Sequence, residues 1–423
     1  MRFVEKELIR VLRSIIPIGS SITFGPDKAF KVISKLQPTQ TFPVEGISRP
    51  SSPSNYVILL SWLEELDDVY IELENLHNVM DVKTRLVVIT VNRFWSKLLP
   101  RFLSQPKSTS SINWIPPNDL QNLLEQCNFE LISLRRAVLL PFKIPLVSRL
   151  LNKWLSDFPL LKNFAVFNIF ISRDMTQIST HDPSVSIIVA ARNERDNIVP
   201  LVQRIPQLAV KQELIFVEGG STDGTWDQIE KLISERRHPS WLSVQAFKQR
   251  GIGKGDAIRL GFENASGDIL LILDADLSVP PEELNRFVEL LKAKKCEFAN
   301  GSRLLYPMED NAMQLLNMIG NRIFGLLFTF LLGQSVRDTL CGTKVLWRED
   351  YSRIAQNRLF FGDFDPFGDF DLLFGASRLG LKIRDVPVHY KQRVYGSTNI
   401  SRFSHGVLLI RMAALAATRL KFV

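Results

Sequence analysis

The stretch "GDILLILDADLSVPPEE" occupies residues 267–283 and combines a continuous apolar run with two acidic residues at its end. A short apolar run bounded by turn residues is typical of a strand that is buried in a parallel sheet. Asp274 and Asp276 follow the run, separated by one alanine. Because residues two apart in a strand project to the same face, we expect the two carboxylates to lie together.

Two adjacent carboxylates repel each other unless one holds a proton or a cation neutralises them. Oxygen ligands of this kind suit the hard divalent ions Mg²⁺ and Mn²⁺, which can also bind a diphosphate group. The pattern therefore predicts a metal site at Asp274 and Asp276. The alternative is a solvated Asp-x-Asp turn, which the preceding buried strand disfavours.

Two other apolar runs also end in polar residues: "VSIIVAARNERDN" at residues 185–197 and "ELIFVEGGSTDGTW" at residues 213–226. In open α/β sheets, ligands bind beyond the carboxyl ends of the strands. Three such strand endings in order predict a ligand site at one edge of a sheet.

The amino-acid composition limits the kinds of molecule that the protein is expected to bind. The chain has 423 residues, a net charge of +8 and 45% hydrophobic residues, which indicates a folded protein of two or three domains with anionic partners. No basic stripe with interleaved aromatic residues occurs, so we expect no nucleic-acid partner. The cysteines Cys127, Cys296 and Cys341 are far apart and form no metal-ligand spacing, which favours a cytoplasmic setting.

A polar segment, "SRDMTQISTHDPS" at residues 172–184, separates two halves of the chain. We predict one domain at residues 1–173, a linker at 174–184 and a second domain at 185–423. In the first half, the strand-like runs "YVILLSWL" and "RLVVITVNRFW" alternate with helix-like segments, a pattern that predicts a parallel α/β sheet.

Two apolar segments, at residues 315–333 and 406–423, contain arginines and are too short or too charged for a membrane span. Both could lie at a membrane surface with their basic ends at the headgroups, or both could be core helices. If they contact membrane, we expect a peripheral position on the inner face of the plasma membrane.

The second half resembles the family-two glycosyltransferases with the GT-A fold, and most nearly the polyprenyl-phosphate (dolichyl-phosphate) sugar transferases. The resemblance covers residues 185–402 and is carried by an ordered set of stretches: "VAARNE", "VEGGSTDGT", "GKGDAIRLGF", "DADLS", "NGSR", "DTLCGTKVLWR" and "VPVHYKQRVYGSTNIS". It implies a Rossmann-like domain that binds a nucleotide-diphosphate sugar.

The resemblance also implies roles for single residues. The positions expected to bind the nucleotide sugar are Ala191, Glu194, Glu218, Lys254 and Asp256. Asp274 and Asp276 would contact the ribose and the metal, and Asp369 or Asp371 would lie near the acceptor. The alternative for Asp369 and Asp371 is that they only stabilise the N-terminus of a helix. Glu218 stands where the family usually has Asp, Ser278 where many relatives have Gln, and Asn399 where the dolichyl-phosphate enzymes usually have Lys.

Three arginines complete the predicted site. Arg303 follows a predicted strand, Arg322 interrupts an apolar helix, and Arg393 lies in the "RVYGSTN" stretch. An arginine in apolar surroundings is costly unless it pairs with an anion, and phosphate is a natural partner. We therefore expect Arg303 and Arg322 to bind phosphate and Arg393 to act in catalysis, while extension of Arg322 into solvent is the alternative.

Residues 55–173 resemble the second half of a class I S-adenosylmethionine-dependent methyltransferase, so the chain looks like a bacterial fusion of two enzyme folds. The cofactor-binding part is missing its usual glycine-rich turn, since "IIPIGSSITFGPDKAF" offers only Gly19 and Gly25. We therefore predict a smaller, degenerate methyltransferase-like domain.

The predicted reaction is an inverting transfer of a sugar to a polyprenyl phosphate or related acceptor. A lipid phosphate is already ionised and needs no base, whereas a sugar hydroxyl in a cell-surface glycan would need a carboxylate such as Asp369 or Asp371. The alternatives are that hydroxyl acceptor, a methyltransferase activity in the first half, and a non-catalytic scaffold.

Overall fold

A computed structural model describes residues 2–43, 54–96, 113, 115–156, 158, 160–176, 182–306, 315–361, 368–393, 395 and 402–422. The chain divides into two compact units. The first comprises Met1–Ser179, Arg378–Gly380 and Ala417–Val423, and the second comprises Thr180–Ser377 and Leu381–Ala416. The sequence-based division placed all of residues 185–423 in one domain, whereas two short segments from this range group with the first unit. Residues 417–421 do so because they contact the N-terminal helix.

The described part of the first unit contains six strands and six α-helices. The strands are β1 (Ile22–Gly25), β2 (Thr41–Pro43), β3 (Tyr56–Leu60), β4 (Arg85–Val91), β5 (Phe129–Ala137) and β6 (Phe167–Asp174). The helices are α1 (Arg2–Ile15), α2 (Phe30–Ile33), α3 (Val69–Asn75), α4 (Arg93–Ser96), α5 (Pro117–Gln126) and α6 (Val147–Leu150). The strands form one sheet in the order β2-β1-β3-β4-β6-β5.

Alternating side chains of this sheet pack against helices on opposite faces. On one face, Ile58 and Ile89 share a buried apolar cluster with Leu8 of α1. On the other face, Val57 and Val88 pack in a cluster that includes residues of α3 and α5. Asp68 caps α3, because its carboxylate accepts hydrogen bonds from the first backbone amides of that helix.

The prediction of a parallel sheet holds for β1 to β4 only. Strands β2, β1, β3 and β4 pair in parallel, but β6 lies between β4 and β5 and is antiparallel to both. Alternating strand and helix signals identify the elements but do not specify the direction in which the last strand enters the sheet.

The described part of the second unit contains seven strands and eight α-helices. The strands are β7 (Val185–Ala191), β8 (Gln212–Glu218), β9 (Leu242–Lys248), β10 (Ile269–Ile272), β11 (Phe298–Ser302), β12 (Lys344–Trp347) and β13 (Ile383–Pro387). The helices are α7 (Arg195–Arg204), α8 (Thr225–Ser234), α9 (Lys254–Asn264), α10 (Leu284–Lys292), α11 (Leu315–Leu332), α12 (Arg348–Gln356), α13 (Asp369–Arg378) and α14 (Arg402–Ala416).

These strands form a sheet in the order β13-β11-β12-β10-β7-β8-β9. Strand β12 is antiparallel to β10 and β11, and the other neighbouring pairs are parallel. Ile187 and Leu271 face a core with residues of α7, α8 and α10, while Ile215 and Val217 face α9 on the opposite side. Helices therefore cover both faces, which explains why β7, β8 and β10 are almost continuously apolar. The protein is a mixed α/β structure with two sheets that are mainly parallel.

Strand β9 is absent from the sequence-based prediction. It lies at the edge of the sheet and pairs with β8 alone among the described strands. Its side chains are mostly half-exposed or exposed, so the sequence lacks the apolar run that marked β7, β8 and β10.

The two apolar segments form helices that contact each other, α11 and α14. Within α11, Phe328 is buried, whereas Ile323 and Leu326 are exposed. Ile410 of α14 is also exposed. Among the helices in the described ranges, none has the length and apolar character needed to cross a membrane.

Candidate active site

The candidate site lies at the carboxyl ends of β10, β7 and β8, which are neighbours in the sheet. Strand β10 ends at Ile272, so Asp274 and Asp276 belong to the turn that follows it. The strand-spacing argument for their proximity is therefore wrong. The backbone instead reverses at Leu277, whose φ is 59°, and both carboxylates act electrostatically on Glu194.

Asp274 is paired with Lys254, the first residue of α9. The Lys254 Nζ donates a hydrogen bond of 2.6 Å to Asp274 Oδ1. Burial alone would raise the pKa of the Asp274 carboxyl, but Lys254, together with Arg303 and Lys344, lowers it below its usual value. The side chains of Lys254 and Asp274 remain 29% and 27% exposed, so both stay accessible to a ligand.

The backbone around this pair leaves room for both side chains. Gly253, which precedes α9, has a φ of 92°, a conformation that other residues adopt only with strain. Gly342 packs directly on the pair, since a Cβ there would overlap the Asp274 carboxylate and lie 2.5 Å from Lys254 Nζ. A side chain at this position would therefore displace the ends of both charged side chains.

Asp276 has partners on both of its oxygens. The backbone amide and hydroxyl of Ser278 donate to Asp276 Oδ1 at 3.0 and 2.7 Å. Arg393 Nη2 donates to Asp276 Oδ2 at 2.5 Å. Ser278, at the position where the sequence departs from its relatives, therefore orients this carboxylate.

Glu194, which follows β7, belongs to the same group of charged side chains as Asp276 and Arg393. Its carboxylate accepts a hydrogen bond of 2.6 Å from Asn197 and lies 3.5 Å from Arg393 Nη1. Burial raises the pKa of Glu194, and Asp276 and Asp274 add to that effect, while Asn197 and Arg393 oppose it. Arg393 thus bridges two carboxylates that the sequence separates by more than 80 residues.

The remaining predicted nucleotide-binding residues lie around this cluster. Ala191 ends β7, and its carbonyl accepts a hydrogen bond from the Gly219 amide. Glu218 ends β8 and accepts a hydrogen bond from the Ser221 amide. Asp256, in the first turn of α9, accepts a hydrogen bond of 2.9 Å from Gln249.

Asp369 and Asp371 lie in the first turn of α13 and are buried in ion pairs. Asp369 Oδ1 is 3.4 Å from Nζ of Lys344, a lysine with a fully buried side chain. Asp371 Oδ2 accepts a hydrogen bond of 2.7 Å from Arg358. Asp369 also raises the pKa of Lys254, which places it in the electrostatic surroundings of the Lys254–Asp274 pair.

Arg303 has a carboxylate partner that the sequence analysis did not anticipate. Its guanidinium donates to both oxygens of Asp338, at 2.8 and 2.9 Å, and Asn321 donates to the same carboxylate. Burial disfavours charge on both groups, but the pairing raises the pKa of Arg303 and lowers that of Asp338. Asp338 is thus a bidentate internal partner of Arg303, and the contact of Arg303 with phosphate stays a prediction.

Arg322 is exposed on α11. No contact within the described ranges joins it to the cluster around Asp274 and Asp276. This arrangement corresponds to the solvent-exposed alternative for Arg322. Asn399 lies outside the described residues.

Four residues of this site were missed by the sequence analysis: Asp338, Gly342, Lys344 and Arg358. The first three lie within "DTLCGTKVLWR", one of the stretches that carry the family resemblance. The stretch was recognised in the sequence, but its pattern did not indicate what these three residues contact. Arg358 had no sequence signal, because its pairing with Asp371 joins elements that meet only in the folded chain.

Among the described residues, no group of three or more His, Cys, Asp or Glu side chains converges as a metal cage. A cage of protein ligands is unnecessary for Mg²⁺, which commonly binds one or two carboxylates and completes its shell with water and substrate phosphate. Asp274 Oδ2 accepts no hydrogen bond from a described residue, so the Asp274–Asp276 pair offers a donor set that fits such an ion.

Comparisons with known proteins agree on the second unit. The family model "Glycosyl transferase family 2" matches residues 186–355. Dolichol-phosphate mannosyltransferase of Pyrococcus furiosus is 34% identical over 28% of this chain and 33% of its own length. Glycosyltransferase AglJ of Haloferax volcanii is 27% identical over 53% of this chain and 69% of its own length. Undecaprenyl-phosphate 4-deoxy-4-formamido-L-arabinose transferase of Yersinia pestis is 25% identical over 53% of this chain and 65% of its own length.

Among solved structures, glucosyl-3-phosphoglycerate synthase from Mycobacterium tuberculosis, in complex with Mn²⁺, uridine diphosphate and glucosyl-3-phosphoglycerate, is 21% identical. It covers 56% of this chain and 80% of its own, with a TM-score of 0.40. The chain thus spans a third of the first relative's length and about two thirds of the other two. Residues 186–355 of the 423-residue chain are thus similar to glycosyltransferase family 2.

Proposed function

We propose that the second unit transfers a sugar, with inversion, from a nucleotide-diphosphate sugar to a polyprenyl phosphate or related lipid phosphate. The observation that carries the proposal is the pair of charged contacts Lys254–Asp274 and Arg393–Asp276 beside the ends of adjacent parallel strands. The names of two relatives, a dolichol-phosphate and an undecaprenyl-phosphate transferase, support the acceptor class.

Direct displacement forms a bond between an acceptor oxygen and the anomeric carbon. The bond from that carbon to the diphosphate breaks, and its electron pair leaves with the nucleoside diphosphate. The negative charge that develops on the leaving group is the main electrostatic demand on the site. Lys254 and Arg393 are the cations positioned to meet it, since each is partly exposed and held on a carboxylate.

A divalent ion also belongs to the proposal. Asp274 and Asp276 would hold Mg²⁺ or Mn²⁺, and the ion would supply charge stabilisation of the departing diphosphate. Ala191, Glu194, Glu218 and Asp256 would surround the nucleotide, as their positions at the ends of β7 and β8 and the start of α9 suggest. The GT-A fold remains part of the proposal, and the helices on both faces of a mainly parallel sheet support it.

The buried ion pairs of Asp369 and Asp371 favour a lipid phosphate over a sugar hydroxyl as acceptor. A hydroxyl needs a carboxylate that its proton can reach, and Asp369 and Asp371 are buried against Lys344 and Arg358. A phosphate acceptor is ionised at neutral pH and needs no such base. The exposed apolar side chains of α11 and α14 are compatible with a lipid substrate at a membrane surface.

A donor screen tests this proposal. Purified protein with Mn²⁺ is given a panel of nucleotide sugars, with and without polyprenyl phosphate, and nucleoside diphosphate release and glycolipid are measured. We expect turnover that requires the lipid phosphate and stops on chelation of the metal. Lipid-independent transfer to a sugar hydroxyl would refute the acceptor, and no release from any donor would favour a scaffold.

For the first unit, we propose a degenerate methyltransferase-like module without cofactor binding. The turn after β1 contains Gly25 and Pro26, and the residues after β3 begin with Ser61 and Trp62. Neither supplies the glycine-rich turn that such a cofactor needs. Calorimetric titration with S-adenosylmethionine should give no binding, and saturable binding would revive methyl transfer as a second activity.

A further inference from the structure

The connection between β5 and β6 exposes many large apolar side chains. Within residues 142–164, here called the apolar segment, these include Phe142, Leu146, Leu150, Trp154, Leu160 and Phe164. Leu146 is 88% exposed and Leu160 is 80% exposed. Single exposed apolar residues are ordinary on protein surfaces, but a contiguous group marks a surface that contacts something other than water.

The polarity of this segment is inverted relative to a helix on a water-exposed surface. Ser148, Asn152 and Ser156 recur every four residues, and all three are buried. Leu150 and Trp154, which lie between them in the sequence, are exposed. A helix packed on a protein core in water shows the opposite arrangement, with its apolar stripe inside.

The buried polar side chains hold the segment in this orientation. Ser148 Oγ accepts a hydrogen bond of 2.7 Å from the Ile144 amide and donates to the Phe142 carbonyl. The Asn152 side chain accepts from the Leu140 amide at 2.7 Å and donates to the Leu140 carbonyl at 3.0 Å. The outward position of the apolar residues is therefore a built feature of the fold and does not result from a frayed loop.

Basic residues are interleaved with the apolar ones. Residues 142–164 contain Lys143, Arg149, Lys153 and Lys162, and Asp157, whose side chain lies outside the described residues, is the single acidic residue in that sequence. Trp154, an amphipathic residue of the kind found at bilayer interfaces, is exposed among them. This composition is typical of a surface that inserts its apolar side chains between lipid headgroups.

A basic groove adjoins the apolar segment. Lys6, Arg10 and Arg13 of α1 line a cavity of about 310 Å³ together with Lys35. The charge of Arg149 acts on Arg10, and burial with this like charge lowers the pKa of Arg10, although Glu7 opposes the shift. Arg10 Nε is buried without a hydrogen-bond partner among the described residues. Arg10 Nη2 pairs with Glu7 at 2.7 Å and Lys35 Nζ with Glu5 at 2.5 Å, so an anionic group at this position would add an acceptor for the unpaired Nε donor.

We propose that the apolar segment and the adjoining basic groove dock the first unit on an anionic bilayer surface. The apolar side chains enter the headgroup region, and the lysines and arginines contact lipid phosphates. The interleaved charge favours a bilayer over a protein partner, because protein interfaces concentrate apolar residues in a centre depleted of lysine. The proposal shares with the proposed function the expectation of a membrane, but it requires no glycosyl transfer.

Vesicle flotation of the full chain, without any donor sugar, tests the proposal. Binding to vesicles of phosphatidylcholine with phosphatidylglycerol is compared with binding to phosphatidylcholine alone, at low and high salt. We expect binding that needs the anionic lipid and weakens with salt. The double variant Leu146→Ser/Leu150→Ser should lower the partition coefficient about tenfold or more, because each leucine loses its burial in lipid.

Matched controls separate this surface from others. Ile18→Ser in the first unit, at a residue 68% exposed, should leave binding unchanged, as should Val210→Ser in the second unit, at a residue 79% exposed. Equal binding to neutral vesicles, undiminished binding of the double variant, or loss of binding in Val210→Ser alone would overturn the proposal. Self-association of the wild type that disappears in the double variant, measured by light scattering, would assign the surface to a second copy and would also overturn it.

Discussion

The two sheets differ most at the carboxyl ends of their parallel strands. In the second unit, β7, β8 and β10 lead into Glu194, Glu218, Asp274 and Asp276, and Lys254 and Arg393 pair with the aspartates. In the first unit, β1 and β3 lead into glycine, proline, serine and tryptophan. Glu64 follows β3 but is buried, with an oxygen near the Val91 amide. The strand edge of the second unit therefore carries aspartates paired with a lysine and an arginine, whereas Glu64 at the edge of the first unit is buried beside a backbone amide.

The lesson of the comparison is that a parallel sheet provides a site only where its loops supply charge and leave space. Both sheets have helices on both faces, and both bury their central strands. The difference comes from a few loop residues rather than from the architecture, in keeping with the general separation of fold from function.

The largest expected effect is that of Asp276→Asn. Loss of this charge removes one of the two carboxylate partners of Arg393 and half of the proposed metal donor set, so sugar transfer should fall by about 10³-fold or more, equivalent to about 4 kcal/mol. Initial rates of nucleoside diphosphate release measure it. Asp67→Asn, the same change at an exposed carboxylate of the first unit, should leave the rate unchanged. Near-normal activity of Asp276→Asn would show that the carboxylates at the strand ends of the second unit are not needed for sugar transfer.

The second effect concerns stability. Asp338→Asn leaves the guanidinium of Arg303 buried without its counter-charge, which should destabilise the second unit by about 3 kcal/mol or more. Urea unfolding monitored by tryptophan fluorescence measures the change. Asp182→Asn, at an exposed carboxylate that pairs with Lys292, is the matched control and should cost less than about 1 kcal/mol.

The Asp338–Arg303 ion pair also predicts how the free energy of unfolding changes with pH. The pKa of Asp338 is lowered in the folded protein, so its stabilising contribution is complete above the usual value of 3.8 and is lost as the pH falls through the lowered pKa. The difference in stability between wild type and Asp338→Asn should therefore narrow on acidification below about pH 4. A constant difference down to pH 2 would contradict this assignment.

A smaller effect is expected from Gly342→Ala. The added methyl group would overlap the Asp274 carboxylate and crowd Lys254, so this ion pair must move. We expect a loss of about 10- to 100-fold in transfer rate, or about 1.4 to 2.7 kcal/mol, with little change in unfolding. Gly320→Ala, where an added Cβ meets nothing within 4 Å, is the control. Equal rates for both variants would show that the Lys254–Asp274 geometry is unimportant.

The smallest effect lies in the first unit, at His77. Its Nε2 is 2.8 Å from the Cys127 carbonyl and its Nδ1 is 3.0 Å from Asp174, so both ring nitrogens face acceptors. Burial would lower the pKa of His77, but Asp174, the Cys127 carbonyl and Glu74 raise it above its usual value of 6.5. This interaction stabilises the fold fully below pH 6.5 and is lost as the pH rises through the raised pKa.

His77→Gln should therefore destabilise the first unit by about 1 kcal/mol at pH 6 and by less at pH 9. Urea unfolding at the two pH values measures this difference. Asn122→Gln, at an exposed position of α5, provides a control that should not alter the pH dependence. If the effect of His77→Gln grew with pH, the histidine would be neutral in the folded state.

Much of this architecture could be predicted from the amino-acid order. The uninterrupted apolar runs of β3, β4, β7, β8 and β10 were recognisable because strands buried on both faces need no polar alternation. The half-exposed edge strand β9 gave no such run, and the antiparallel entry of β6 depends on pairing with distant strands.

For the site, the sequence by itself determined which acidic residues follow the central strands, since strand ends and loop composition are local properties. Only the tertiary structure decided which cation each one pairs with. Asp274 contacts Lys254 and Asp276 contacts Arg393, while Arg303 turns to Asp338 and Asp371 to Arg358. Ion pairing depends on distance and burial in three dimensions, and neither quantity is encoded by the spacing of residues along the chain.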